Sequence, residues 1–314
     1  MFIVLGVLTF LWGFALWAFL PDSISTAKFL SEEERQCASN RAVIAGTGAT
    51  EKTAWQWDQF VECLMDPKTW LVCGLALVTQ IPNGGTQNFS NLVIKSFGFT
   101  SLQSTLINIP YSLITIATIT GTGWLAGRFR QLNCILIVCV VVPCVIGSAI
   151  IYSRAHIVLG VQLFGYFLLS TGPAAMPLAM SLVQANYRGV TKKMTVTAML
   201  FVAYCAGNIS GPQFFLSEEA PTYDTAFRAI MICYALAVGL ALTLGFYLQW
   251  MNTRRTRLEG FEGSSGNAGA VGGKVLGGDQ DSKNVADMVT RVQVVSDDYE
   301  DVTDWKTPGF RYRY

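Results

Sequence analysis

Four amide side chains, Gln80, Asn83, Gln87 and Asn91, recur at i, i+3, i+7 and i+11 within TQIPNGGTQNFSNLVIKSFGF, Thr79 to Phe99. At helical periodicity that spacing sets them on one face, and Asn88 flanks them. Amides donate and accept hydrogen bonds without carrying charge, so such a face suits a polar solute, a carboxylate or a second polar helix. The stretch also holds Pro82, which lacks a backbone donor and clashes with the carbonyl four residues back. Gly84 and Gly85 loosen the next turn, so the sequence predicts a discontinuous helix. Freed backbone groups facing hydrocarbon cost roughly several kcal/mol each. The segment must therefore face protein or water, either as the wall of a solute cavity or as a polar packing seam with a proline kink.

Three further stretches carry matching positions. Asn108, Ser112, Thr115 and Thr122 share a face, with Pro110 and Tyr111 beside them. Gln162, Tyr166 and Ser170 are spaced by four and lead into TGPAAMP. Tyr204 and Asn208 are spaced by four and lead into GNISGPQFF, where Gly207 and Gly211 form a GxxxG followed by Pro212; that motif allows close helix approach. The candidate solute contacts are Asn83, Gln87 and Asn88, faced by Asn108, Gln162, Tyr166, Tyr204 and Asn208. Pro82, Gly84, Gly85, Gly207, Gly211 and Pro212 are the candidate helix-breaking or gating positions. Enzyme chemistry lacks its residues. His156 is the single histidine, and there is no HExxH, GxSxG or Cys/His grouping. No cofactor or metal is expected.

The elements that position these residues are membrane spans. Over the chain's 314 residues, 52% are hydrophobic and 14% charged, where a soluble domain carries about a quarter charged. A spanning helix needs roughly 20 apolar residues. Seven stretches qualify, at 2–20, 69–93, 104–126, 133–152, 157–180, 194–216 and 226–250. Net charge is +1, so no nucleic-acid partner is implied. Six of the eight cysteines fall in apolar stretches, where cysteine acts as a small hydrophobe. Arg128, Arg130, Arg188, Lys192, Lys193, Arg254, Arg255 and Arg257 fall on one side, against Lys95, Arg154 and Arg228 on the other. That excess places the 21–68 loop and the C-terminal tail in the cytoplasm.

The expected organisation has a helix at 1–20, a cytoplasmic loop at 21–68 and a six-helix half at 69–250. A largely disordered tail follows at 251–314. Within the loop, Ser31 and Glu34 form a capping box. AWQWDQFVECLMDPKTW reads as an interfacial helix followed by an Asp66 cap and Pro67 in the next helix's first turn. Residues 259–282 read as a Gly/Ser-rich linker, and SDDYEDVTDWKTPGFRYRY as too short to fold alone.

Several of these stretches resemble the allantoate permease family of anion:cation symporters, within the major facilitator superfamily. FLPDSISTAKFLSEEER is similar to that family's sixth helix end and central loop, and IPNGGTQNFSNLVIKSFGF to its seventh helix. GNISGPQFFLSEEAPTY resembles its eleventh helix, and TDWKTPGFRY the tail of fungal members. The resemblance implies an all-α integral membrane protein with a major facilitator-like C-terminal six-helix bundle and one preceding helix. It further implies alternating-access transport of a small organic anion or vitamin-like carboxylate, coupled to protons, across the plasma membrane. Seven spans match helices six to twelve of twelve, so the first five would be absent. The alternative is a truncated, non-transporting protein, or a half-transporter needing a partner chain. The loop GWLAGRFRQ, with Arg128 and Arg130, resembles a superfamily motif that has an acid where this chain has Gly127. No acid lies deep in any span.

Overall fold

A computed structural model describes residues 2–21, 24, 26–27, 29–44, 55–129, 131–153, 157–220, 222–265, 301–307 and 310–314. Arg130, Arg154, His156 and most of the expected linker lie outside them. The described residues are mostly helical, with no strand among them. The chain divides into two units, one of residues 1–55 and 270–301, the other of 56–269 and 302–314.

The first unit contains α1 (Phe2–Phe19) and α2 (Glu32–Ile44). Helix α1 is apolar on every side, as a lipid-facing span requires. Helix α2 begins where the sequence places it. Ser31 N donates to Glu34 Oε2 at 2.9 Å, and Glu34 N to Ser31 Oγ at 3.4 Å, satisfying two donors that a helix start otherwise leaves free.

The second unit is a bundle of α3 (Trp57–Met65), α4 (Pro67–Ser96), α5 (Ser101–Arg128), α6 (Asn133–Tyr152), α7 (Leu159–Leu169), α8 (Ala175–Asn186), α9 (Val190–Ser210) and α10 (Asp224–Ser265). Asp66 caps α4 by accepting from Lys68 N, and Pro67 fills its first turn. Helix α4 packs against both α9 and α10, α10 against α6, and α6 against α7. The core runs along these contacts through Val72, Leu75, Ile137, Val141, Leu182, Leu200, Phe227 and Leu244. The outer face of α5 shows Leu102, Leu106, Ile109, Leu113 and Ile116, an apolar surface suited to hydrocarbon.

Among the described residues, six helical spans, with α7 through α8 taken as one, are long and apolar enough to cross a membrane. Helix α4 is long enough, but its amides, prolines and glycines keep its hydropathy below that of the other spans. Two expectations about breaks are corrected. Helix α4 continues through Pro82 without interruption, a case that spans tolerate when neighbours accommodate the freed groups. The fifth span is the broken one. It stops at Leu169, tightens into a 3-10 turn at Gly172–Ala174 and restarts as α8, because Pro173 forces a new first turn.

Helix α10 also differs, extending to Ser265, past Trp250 and through the beginning of the expected linker. At 42 residues it measures roughly 63 Å, more than a bilayer's full thickness of about 40–45 Å. Within the tail, expected to be largely disordered, residues 302–307 and 310–314 lie against the bundle, where Thr303, Asp304 and Tyr312 are buried.

Candidate functional site

The glycines of the amide stretch serve contact rather than breakage. A Cβ on Gly84 would sit 2.6 Å from Asn208 O, and one on Gly207 would sit 2.8 Å from Leu77 O. A Cβ on Gly211 would collide with Ile81 O, and one on Gly85 would reach within 2.8 Å of the Phe215 ring. Contacts below 3.0 Å are not tolerated, so α4 meets α9 and its C-terminal cap backbone to backbone only because Gly84, Gly207 and Gly211 have no side chain, while Gly85 makes room for the Phe215 ring.

That approach brings the amides of the two helices together. Gln80, almost fully buried, accepts from Asn83 Nδ2 at 3.0 Å and from Asn208 Nδ2 at 3.2 Å. Asn83 Nδ2 also lies 3.5 Å from Asn208 Oδ1, and Asn83 Oδ1 accepts from Gln87 at 3.2 Å. Asn208 is turned by a further bond to Tyr204 O at 2.9 Å. The result is a four-amide cluster, half-buried and uncharged. Gln80, read from sequence as part of the face but not as a solute contact, is its hub. Its position one turn from Asn83 was the available signal.

A second polar group joins α4, α5 and α7. Asn108 donates to Asn91 at 2.8 Å and accepts from Tyr166 Oη at 2.8 Å. The Tyr166 ring lies against Tyr111 at 4.9 Å between centroids, and Thr115 bonds Ser170 O at 3.0 Å. The other expected contacts have partners of their own, and Tyr204 joins the first group through its carbonyl. Asn88 bonds its own helix at Gly84 O, Gln162 bonds Ile157 O, and the Tyr204 ring packs edge-on to Phe201. A cavity of about 390 Å³ opens elsewhere, between α5 and α8, lined by Thr122, Gly123, Gly127, Pro177, Ser181 and Arg313. None of the expected contacts lines it. Pro82 is buried, and its carbonyl accepts from Thr86 Oγ1 at 2.8 Å. Pro212 opens the 3-10 turn that ends α9. Arg128 is exposed in the last turn of α5.

Sequence reasoning missed a charged assembly at the N-terminal end of α4. Lys68 Nζ pairs with Asp304, lies 3.3 Å from Asp66 and donates to Asn186 O at 3.0 Å. Lys192 Nζ lies 2.8 Å from Glu62, 3.0 Å from Asp66 and 2.9 Å from Asp304. The Asp66 and Asp304 oxygens facing Lys192 meet it as charges, without hydrogen-bond alignment. Burial alone would raise the Asp304 pKa, but Lys68 and then Lys192 outweigh it and hold the carboxyl below its usual range. Burial and the adjacent Asp304 push the Tyr312 phenol up. Among the described residues, no cluster of His, Cys, Asp and Glu could hold a metal.

Comparison with known proteins places this architecture. Residues 1–212 match the model of the Major Facilitator Superfamily. The chain belongs to that superfamily. It is accordingly a multi-pass integral membrane protein, of a family of transporters rather than enzymes. It is 32% identical to the MFS-type transporter cnsL of Penicillium expansum, over 81% of this chain and 52% of that protein. It is 31% identical to the uncharacterized transporter C417.10 of Schizosaccharomyces pombe, over 99% of this chain and 55% of the other. The allantoate permease of Saccharomyces cerevisiae is 26% identical over 99% and 54%, respectively. The chain thus spans about half the length of the curated relatives it matches. No solved structure matches it.

Proposed function

We propose that the chain supplies the solute-binding half of a proton-coupled, alternating-access transporter of the allantoate permease type. Its substrate is a small organic anion or vitamin-like carboxylate, carried across the plasma membrane, with the tail and the 21–68 loop in the cytoplasm. The observation that carries this reading is the uncharged amide cluster of Gln80, Asn83, Gln87 and Asn208 between α4 and α9. Amide donors can bind a carboxylate without a permanent buried cation, and here they satisfy one another. Likeness to an allantoate permease over nearly the whole chain supports the substrate class. With no acid deep in the spans, the proton carrier comes from a span edge or from a second half.

A second reading is a half-molecule that moves solute only with a partner chain, which would supply the acid that these spans lack. Uptake of radiolabelled allantoate and nicotinate into proteoliposomes under an inward proton gradient separates the two. Uptake by the chain alone, abolished by a protonophore and impaired by Asn83→Ala and by Asn208→Ala with insertion unchanged, supports the first. Uptake only after co-reconstitution with the N-terminal half of a relative supports the second. Normal uptake by both variants rejects the amide cluster as the solute site.

A further inference from the structure

The residues at 302–314 are separated from α10 by a long Gly/Ser-containing stretch, yet they make some of the most specific polar contacts of the bundle. Thr303 Oγ1 donates to Glu62 at 2.9 Å, reaching α3. Asp304 faces Lys68 at the start of α4 and Lys192 at the start of α9. Tyr312 Oη donates to Asp304 at 2.8 Å and accepts from Arg255 of α10 at 3.0 Å. Arg255 also donates to Asp304 O at 2.8 Å and Phe310 O at 3.1 Å.

Two asparagines then hold the backbone itself. Asn252 of α10 donates to Tyr312 O and accepts from Tyr312 N, both at 2.8 Å. Asn186 of α8 does the same for Arg313, at 2.7 Å to its carbonyl and 2.6 Å from its N–H. Each amide reads one residue's donor and acceptor together, as a neighbouring strand would. Tyr312 closes over Lys68 with its ring 4.4 Å from Nζ, and Trp305 lies 4.9 Å from Lys192 Nζ. Lys68, Lys192 and Arg255 thereby balance Glu62, Asp66 and Asp304, with the side chains of Lys68 and Asp66 at most 2% exposed and those of Lys192 and Asp304 fully buried.

From this geometry we infer that the end of the bundle formed by α3, α4, α8, α9 and α10 is a recognition site for the chain's own segment 302–314, which acts as a releasable strap. The strap adds Tyr312 to the bundle's hydrophobic core, with Phe310 and Tyr314 packed against it, from a tether rather than from a helix. Everything it touches is a side chain or a helix end presented by elements that already pack without it. Docked, it fastens the ends of α4 and α9, the two helices that carry the amide seam, and covers both lysines. Undocked, it leaves Lys68 and Lys192 with Asp66 and Glu62, a neutral set that water can reach. The ionic core sets the specificity. An acidic residue at 304 is required, whereas Arg313 is read only through its backbone. The inference rests on packing alone and stands whichever reading of transport holds.

Amine acetylation of the full-length protein in detergent micelles, followed residue by residue by mass spectrometry, tests it. Lys95 and Lys306, both exposed, are internal references. In the native chain Lys68 and Lys192 should react at least about ten-fold more slowly than Lys95, the protection that about 1.4 kcal/mol of docking gives. Asp304→Lys, and Thr303→Glu against Glu62, should each bring both lysines close to the reference rate, while Asp304→Glu keeps them protected. Addition of a synthetic peptide of residues 300–314 to the Asp304→Lys protein should restore protection, which a misfolded bundle end would not allow. The strap is overturned if Lys68 and Lys192 react at the Lys95 rate in the native chain. It is equally overturned if they stay protected in Asp304→Lys, or if they become reactive there and the peptide has no effect.

Discussion

Replacing Gly84 with alanine should part α4 from α9 and dissolve the amide cluster with a single methyl group. The added Cβ would lie 2.6 Å from Asn208 O and 2.7 Å from Asn208 Cα, where ordinary contact begins at 3.4 Å. Both obstacles are backbone, so neither can rotate away, and the helices must separate by about 0.8 Å along that contact. The Asn208 to Gln80 bond, now 3.2 Å, would open to about 4 Å, beyond hydrogen-bonding range. Overpacking of this kind costs about 1–3 kcal/mol, or roughly a five- to 160-fold shift toward the unfolded state. The assay is unfolding in mixed micelles by rising detergent denaturant, read by tryptophan fluorescence. Gly121→Ala is the control, because nothing lies within 4 Å of a Cβ there; relief of glycine's entropy should make it neutral or stabilising by about 0.5–1 kcal/mol. If Gly84→Ala unfolds with the native chain, or both substitutions destabilise alike, the backbone-contact account of these glycines fails.

Other perturbations probe the remaining groups. Tyr166→Phe removes the donor that Asn108 Oδ1 accepts at 2.8 Å and should cost about 1–3 kcal/mol in the same unfolding assay, the range for leaving a buried polar group unpaired. Tyr312→Phe removes the hydroxyl shared by Asp304 and Arg255. It should raise lysine acetylation roughly five-fold, for about 1 kcal/mol lost, short of the full release by Asp304→Lys. Strap docking should also depend on pH with a definite sign. Asp304 faces Lys68, Lys192, Tyr312 and Arg255, with Asp66 and Glu62 nearby. Its carboxyl is held below the usual range, so its contribution is complete above about pH 5 and fades as pH falls through the carboxylate range and below. The Tyr312 phenol is raised, so its contribution is complete below about pH 9 and is lost only as pH rises past the ordinary phenol value of about 10. Limited proteolysis within residues 302–307, quenched at each pH, should show a plateau of protection near neutrality and loss at the acid end.

What could be read in the sequence was local. The Ser31–Glu34 capping box, the Asp66 cap and the Pro67 first turn each depend on residues within a few positions, and each appears as expected. The amide face of α4 was legible from its spacing. Its consequence was not, because Gly84 and Gly85 are explained by Asn208, Gly211 and Phe215, more than a hundred residues away. A glycine beside a proline looks like a break until the facing helix is known. Lys192 illustrates the same limit from the other direction. Counted as a loop base that orients the chain, it is fully buried between Glu62, Asp66 and Asp304. No spacing rule connects Asp304 to a partner 236 residues earlier.

That long separation between Lys68 and Asp304 also sets a schedule. Synthesis runs at about 5–20 residues per second, so Lys68 leaves the ribosome roughly ten to fifty seconds before Asp304 is made. Every helix that the strap fastens is complete before the strap is. From the completion of α9 until residue 304 is made, the charged end of the bundle must stay hydrated, with Lys68 and Lys192 accessible and α4 and α9 joined along their glycines and amides. The closing of that end is therefore an event in the chain's biosynthesis. A ribosome that stalls before residue 304 yields a full set of helices whose two lysines still face water, a difference that the machinery inspecting new membrane proteins can detect.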